Sequence, residues 1–481
     1  MPHRLADGHA RRRALDPARS FIVQAPAGSG KTELLVRRFL VLLATVSEPE
    51  RIVAITFTRK AAGEMRARVI AALRLAREAQ PADPVAATLW HLARAALAND
   101  ERHGWQLQTC PTRLRIQTID ALSAALTRQM PWLSRFGLPM RIVEDADELY
   151  REAATATVRR LGSVAARRQR AIADVIAHLD NDILRLTSLL VEMLRHRDQW
   201  LRHVIRQDES PDRRVAAEQA WKDMVESVLR EARDLMPPPL AEPLVELARF
   251  AGDSLSAGHA DSPIAACRGL VTLPPPLAAW LSEWYGLAEL LLTRKDAWRR
   301  SVNVKQGLPP GSEQRAAMLA LLDTLSGESG LRRRLAEIRR VPGPRFGERQ
   351  WQVVKSLIEV LPFAAAELQL VFRERGRVDF PEITESARLA LGSEEPTDLA
   401  LRLDYRIEHL LVDEFQDTSV SQFELLEQLT LGWQGDDGRT LFLVGDPMQS
   451  IYRFREAEVG LFLSVMQSGW GQVPMETLTL T

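Results

Sequence analysis

Four apolar runs, at residues 21–25, 51–57, 410–413 and 441–444, each end in a polar loop. Their apolar residues are continuous rather than alternating. That is the pattern of strands buried on both faces of a parallel sheet, with helices as the covering layers. After the second run, Ala62, Met65, Val69, Ala72 and Ala76 recur at helical spacing. The spacing predicts a helix that packs this stripe on the sheet and leaves Arg59, Lys60, Arg66 and Arg68 outside. An α/β fold follows, and ligands of such sheets bind at the carboxyl ends of the strands, where all four loops lie. Between about residues 126 and 389 the pattern changes to long Arg/Ala/Leu/Glu-rich stretches, punctuated by proline at 237–239, 274–276 and 309–310. This reads as a largely helical insertion that splits the sheet domain in sequence but not in space. Its tryptophans, Trp200, Trp221, Trp280, Trp284 and Trp298, fit a core or an interface better than a stacking surface. Residues 475–481 read as the start of another strand.

The loop after the first run carries the sharpest chemistry. In Ala25-Pro26-Ala27-Gly28-Ser29-Gly30-Lys31-Thr32 the two glycines allow a tight turn whose N–H groups face phosphate oxygens. Lys31 suits the β- and γ-phosphates, and the Thr32 hydroxyl suits Mg²⁺. The helix that follows adds a positive dipole end beneath the same anion. Ala25 stands where this motif usually has its first glycine. The third run ends in Asp413 and Glu414: a strand-end carboxylate for the Mg²⁺, then a carboxylate to orient or deprotonate an attacking water. Alone, such a pair reads as a solvated turn; beside a phosphate loop it reads as catalytic. After the fourth run, Gln449 suits sensing of a γ-phosphate. Tyr452, Arg453, Phe454 and Arg455 interleave rings with cations, as single-strand binding requires. The competing reading buries both rings as core.

At 481 residues the chain exceeds one typical core, so two or more domains are expected. Lysine plus arginine and aspartate plus glutamate both total 63, so no global field drives it onto a polyanion. The first eighty residues are nonetheless basic by about two to one, starting at Arg11-Arg12-Arg13. Two cysteines, Cys110 and Cys267, exclude a disulfide framework or a cysteine-rich zinc site. No apolar run approaches the ~20 residues that span a bilayer, and no apolar signal core follows the arginine triplet. No membrane partner and a cytoplasmic location are expected.

Taken together, these segments resemble the ATPase core of UvrD/Rep-type superfamily 1 DNA helicases, in wording closest to the RecB and AddA branch. Two more segments fit. Residues 55–65, Ile-Thr-Phe-Thr-Arg-Lys-Ala-Ala-Gly-Glu-Met, are similar to the family's single-strand motif, and residues 115–122 to its next DNA-contact motif. There Asp120 stands where the family often has histidine. Arg377-Val378-Asp379-Phe380 resembles the return into the core. The family's adenine-reading glutamine is not evident between Ala10 and Ser20, so adenine comes from the resemblance alone.

The resemblance implies a RecA-like P-loop core in two parts, residues 1–125 and 390–481, around a helical insertion at 126–389. It implies ATP and Mg²⁺ as cofactors, held by Ala25, Ala27, Gly28, Ser29, Gly30, Lys31, Thr32 and Arg38, with Thr32 and Asp413 at the metal. Lys31, Asp413, Glu414 and Gln449 would carry catalysis. Phe57, Thr58, Lys60, Thr118, Tyr452, Phe454 and Arg455 would contact DNA. It further implies 3′→5′ movement, break repair, a nuclease or helicase partner subunit, and a second RecA-like domain that this sequence does not contain. The competing expectation is a nucleotide-gated DNA-binding or partner-docking module with little turnover. A metabolic kinase would leave Phe57 and residues 452–455 without a role.

Overall fold

A computed structural model describes residues 7–129, 140–160, 165–205, 213–256, 261–392, 397, 406–449 and 459–481. Among the described residues the strands, in chain order, are β1 (Ser20–Gln24), β2 (Ile52–Thr56), β3 (Arg115–Thr118), β4 (Arg141–Ile142), β5 (Arg377–Val378), β6 (His409–Val412), β7 (Thr440–Gly445) and β8 (Met475–Thr479). Six form one parallel sheet in the order β3-β2-β6-β7-β1-β8; β4 and β5 pair separately, also in parallel. The four runs legible in the sequence become β1, β2, β6 and β7, the sheet's centre. The strand expected at residue 475 is β8, added in parallel at the edge beside β1.

Successive residues of these strands enter different cores. Phe21, Val23, Ile52, Ala54, Leu411, Phe442 and Val444 join a cluster on one face. Ile22, Val53, Ile55, Leu410, Val412, Leu441 and Leu443 join another on the opposite face. Period-two alternation thus persists although both faces are apolar, which is why the runs look continuous in sequence. The helices α1 (Gly8–Arg13), α2 (Lys31–Leu43), α3 (Arg59–Leu75), α4 (Pro84–His103) and α5 (Ile119–Gln129) begin the layers. The first face is covered by α2, α3 and α4 through Leu35, Phe39, Met65, Val69 and Leu97. The second is covered by α5 and by helices Phe380–Leu391, Val420–Leu429 and Val459–Ser468 through Leu122, Leu391, Leu425 and Phe462. Each such side chain contributes about 1.5–3 kcal/mol on full burial.

The predicted stripe on α3 is buried throughout, from Ala62 to Ala76. Arg59, Lys60 and Arg68 lie exposed beside it, but Arg66 does not: its guanidinium donates to the Ile116 carbonyl on β3 and is half-buried.

The chain divides into two units, residues 1–164, 182–205 and 361–481, and residues 165–181 and 206–360. The first holds both sheets. Residues 126–164, 182–205 and 361–389, expected in the insertion, belong to it. Within it, Arg197 pairs with Asp379 at 2.6 Å, Tyr150 donates to the same carboxylate at 2.6 Å, and Asp379 caps the helix that follows through the Glu382 N–H. The second unit is helical, around helices Arg213–Asp234, Pro238–Ser256, Leu281–Leu291, Glu313–Leu325 and Ser329–Ile338. Trp284 is fully buried in its core and donates to the Pro275 carbonyl. Burial raises the Cys267 thiol to about 12, so it behaves as a small apolar residue.

Candidate nucleotide and nucleic-acid site

The carboxyl end of β1 opens into the phosphate loop. Ala25 is buried, and its N–H donates to the Gly445 carbonyl on β7. A small residue suffices there because the backbone is held by the sheet, which explains the departure from glycine. Gly28 and Gly30 have φ of 78° and 81°, the left-handed region that other residues enter at a cost. Gly30 is the residue before α2, so the loop ends at a helix N-terminus. Ser29 presents a buried Oγ without a hydrogen-bond partner, while its carbonyl accepts from Arg11 Nη2 at 2.5 Å. An orphaned hydroxyl beside two left-handed glycines fits an anion whose oxygens complete the set.

Lys31 Nζ lies 2.7 Å from Glu414 Oε2, across 383 residues of sequence. Asp413 is placed by the sheet, its N–H donating to the Ile55 carbonyl at the end of β2. Its Oδ1 accepts from the Glu414 N–H at 3.0 Å. Burial and the adjacent Glu414 raise the Asp413 carboxyl to about 6, against the pull of Lys31. A carboxylate so destabilised as an anion gains most from a cation. With the Thr32 hydroxyl it offers the hard oxygen donors that Mg²⁺ takes alongside phosphate and water. Glu414 has φ of 51°, unusual for a residue with a side chain.

Gln416 carries no signal in the sequence beyond its place two residues after the acidic pair. It is 1% exposed, and its Nε2 donates to Glu414 Oε2 at 2.9 Å. Its Oε1 accepts from the Asp446 N–H at 2.9 Å, at the end of β7. Arg11 is the other residue that its motif context does not reveal. Asp7 grips its guanidinium with two oxygens at 2.9 and 2.8 Å and accepts from the Thr481 N–H at 3.1 Å. The Arg11 guanidinium holds the Asp7 carboxyl below the usual carboxylate range.

Arg38, expected at the nucleotide, lies at the other end of the strands. Its guanidinium is fully buried between the Phe21 and Phe442 rings, with centroids at 5.6 and 5.3 Å. It donates to the carbonyls of Ala14, Asp16 and Arg19 and to Thr440 Oγ1, all before or at the starts of β1 and β7. Two turns of α2 separate it from Lys31, and helix geometry carries it away from the loop.

The nucleic-acid candidates lie at the carboxyl ends of β2 and β3, where Thr56 pairs with Thr118. Phe57 is half-buried and Lys60 is exposed. The Thr58 hydroxyl caps α3 by accepting from the Ala61 N–H, and the buried Thr118 hydroxyl caps α5 by accepting from the Ala121 N–H. Both threonines therefore shape the loop ends. Gln449 closes a short turn, Pro447–Gln449, and its side chain lies outside the described residues. Tyr452, Phe454 and Arg455 also lie outside them. Among the described residues no helix is long and apolar enough to cross a membrane.

The chain is similar to proteins named as subunits of ATP-dependent helicase/nucleases. That of Desulfitobacterium hafniense is 27% identical over 495 aligned positions, covering 94% of this chain and 32% of the relative. That of Lysinibacillus sphaericus is 25% identical, covering 92% and 35%. That of Exiguobacterium sibiricum is 43% identical over 107 positions, 22% of this chain and 9% of the relative. The chain thus spans about a third of the length of the first two. The model of the UvrD/REP helicase N-terminal domain matches residues 8–248 and 348–468, the two stretches that contain the phosphate loop and the acidic pair. With a parallel sheet that brings Lys31 onto Glu414, and a family match over most of its length, the chain belongs to the UvrD/REP helicase N-terminal domain family.

Proposed function

We propose that this chain binds Mg·ATP and hydrolyses it as the motor half of a DNA helicase, acting on single strands and duplex ends in double-strand break repair. The observation that carries the reading is the 2.7 Å contact between Lys31 Nζ and Glu414 Oε2. It brings the Lys31 ammonium and the Glu414 carboxylate together at the carboxyl ends of the sheet's strands, which supports reading them as the phosphate-binding cation and the base. The names of the relatives support the helicase assignment and a partner subunit bearing nuclease or helicase activity. A cytoplasmic location and 3′→5′ movement accompany it through the family resemblance.

The residues divide the chemistry among themselves. Residues 27–32 cradle the phosphates with backbone N–H groups, and Lys31 turns from Glu414 to the β- and γ-phosphates. Thr32 and Asp413 would hold Mg²⁺, which when bound would supply neutralisation of charge on the phosphate oxygens. Glu414, released from Lys31, accepts a proton from water as the water oxygen bonds the γ-phosphorus and the bond to the β-phosphate oxygen breaks, giving ADP and phosphate. Phe57 and Lys60 lie on the same end of the sheet, where a single strand would stack and be held by charge.

Lys31→Ala should weaken ATP binding about tenfold or more, because charge-assisted hydrogen bonds contribute about 1.5–3 kcal/mol each. Glu414→Gln should leave binding intact and abolish phosphate release. Wild-type ATP affinity in Lys31→Ala would remove the phosphate-loop assignment. Strong single-strand binding that requires ATP but survives without any hydrolysis would favour the nucleotide-gated module instead.

A further inference from the structure

The side chain of Gln416 joins two elements that sequence places far apart. It is almost completely buried, so both ends of its amide need partners. The Asp446 backbone N–H can only donate, so Oε1 must face it; the Glu414 carboxylate can only accept, so Nε2 must face that. The two contacts fix the amide's orientation without ambiguity. One arm therefore rests on the carboxylate of the proposed base, and the other on the first turn after β7.

Gly445 supports this from the opposite side. A Cβ at that position would lie 2.3 Å from Gln416 Oε1 and 3.2 Å from the Gln416 N. The end of β7 is thus shaped to receive this amide, and no larger residue fits while the amide is docked. Glu414 itself sits at φ 51°, a left-handed conformation that a residue with a side chain keeps only where its neighbours hold it. Among the described residues, the side chains of Lys31 and Gln416 both donate to its Oε2. Once Lys31 leaves for the phosphates, Gln416 is the one of these two that remains.

We propose that Gln416 is a positioning residue that keeps Glu414 aimed at the attacking water after Lys31 has moved to the nucleotide, and ties that aim to the Gly445–Asp446 turn. The proposal rests on the ATPase reading above. Binding should be indifferent to Gln416, because its amide is spent on Glu414 and Asp446 rather than on the phosphate loop. Turnover should depend on it, because a carboxylate misplaced by about 1 Å loses its line to water.

The test compares Gln416→Leu, Gln416→Glu and Gly445→Ala with wild type, Lys31→Ala and Glu414→Gln. Affinity is read by calorimetry with the Mg²⁺ complex of a non-hydrolysable ATP analogue, and chemistry by single-turnover phosphate release. Gln416→Glu keeps the volume but turns an acceptor toward Glu414, and Gly445→Ala crowds the amide, along with the Phe462 ring at 2.9 Å, without altering the amide itself. All three should bind within threefold of wild type and release phosphate at least tenfold more slowly, with thermal midpoints confirming the fold. Equal losses in binding and release, or unchanged release in Gln416→Glu, would overturn the proposal. If Lys31→Ala binds as wild type does, the ATPase reading fails, and this proposal falls with it for that separate reason.

Discussion

Replacing Arg38 by methionine separates a nucleotide contact from a structural one. The guanidinium is buried, and burial draws it down to about 10 from its ordinary value, against the pull of Asp16. Its donors satisfy the carbonyls of Ala14 and Arg19 at 3.2 and 2.8 Å, the Asp16 carbonyl, and Thr440 Oγ1 at 3.3 Å. Methionine keeps much of the stem between the Phe21 and Phe442 rings but supplies no donor. The Ala14 and Arg19 carbonyls then lose the partner Arg38 gave them, and the Asp16 carbonyl keeps only the long contact from the Arg19 N–H at 3.4 Å, at about 1–3 kcal/mol for each one left buried and unpaired. Part of this is offset because a cation is no longer desolvated, leaving a net loss of about 2–4 kcal/mol. At about 2–4 °C per kcal/mol for a large domain, the thermal midpoint should fall by roughly 4–16 °C. ATP affinity, measured below the transition, should stay within twofold of wild type. An unchanged midpoint with a tenfold loss of ATP affinity would refute this reasoning and return Arg38 to the nucleotide.

Asp413 gives a pH signature. With its carboxyl raised to about 6, the folded protein holds a proton that the unfolded chain has released between about pH 4 and pH 6. Stability of the free protein should therefore fall as pH rises through that window, and Asp413→Asn should flatten this slope in denaturation curves. The same proton competes with Mg²⁺, so the Mg²⁺ requirement for ATP binding should rise below about pH 6 in wild type only. Arg197→Leu should destabilise by about 3–5 kcal/mol in urea titrations, because it leaves the Asp379 carboxylate buried without its cation; a loss under 1 kcal/mol would contradict that. Phe57→Ala should weaken single-strand binding by about 1–3 kcal/mol, and Lys60→Ala should lower the salt slope by about one, both read by fluorescence anisotropy. Unchanged affinity and slope in the pair would remove this face from the DNA path.

The sequence by itself determined the elements whose cause is local. Residues 21–25, 410–413 and 441–444 are apolar enough to be strands only if buried on both faces. Gly28 and Gly30 permit a loop that few other residues could form, and the stripe from Ala62 to Ala76 can pack as a helix. Lys31 and Thr32 stand out because they close the glycine loop after one such run, and Asp413 and Glu414 because they stand at the end of another. The tertiary structure alone decided the rest, because strand order and side-chain partnership depend on residues hundreds of positions apart. It set β6 and β7 between β2 and β1, and so put Glu414 onto Lys31 and the amide of Gln416 between Glu414 and Asp446. It turned Arg38 toward carbonyls at the strand starts, since a helix rotates its side chains faster than a motif's spacing reveals. It gave the hydroxyls of Thr58 and Thr118 to helix caps, because an N–H left open at a helix start draws the nearest acceptor. A charged or polar residue's partner is chosen by what the fold brings within about 3 Å of it, and that distance is not written along the chain.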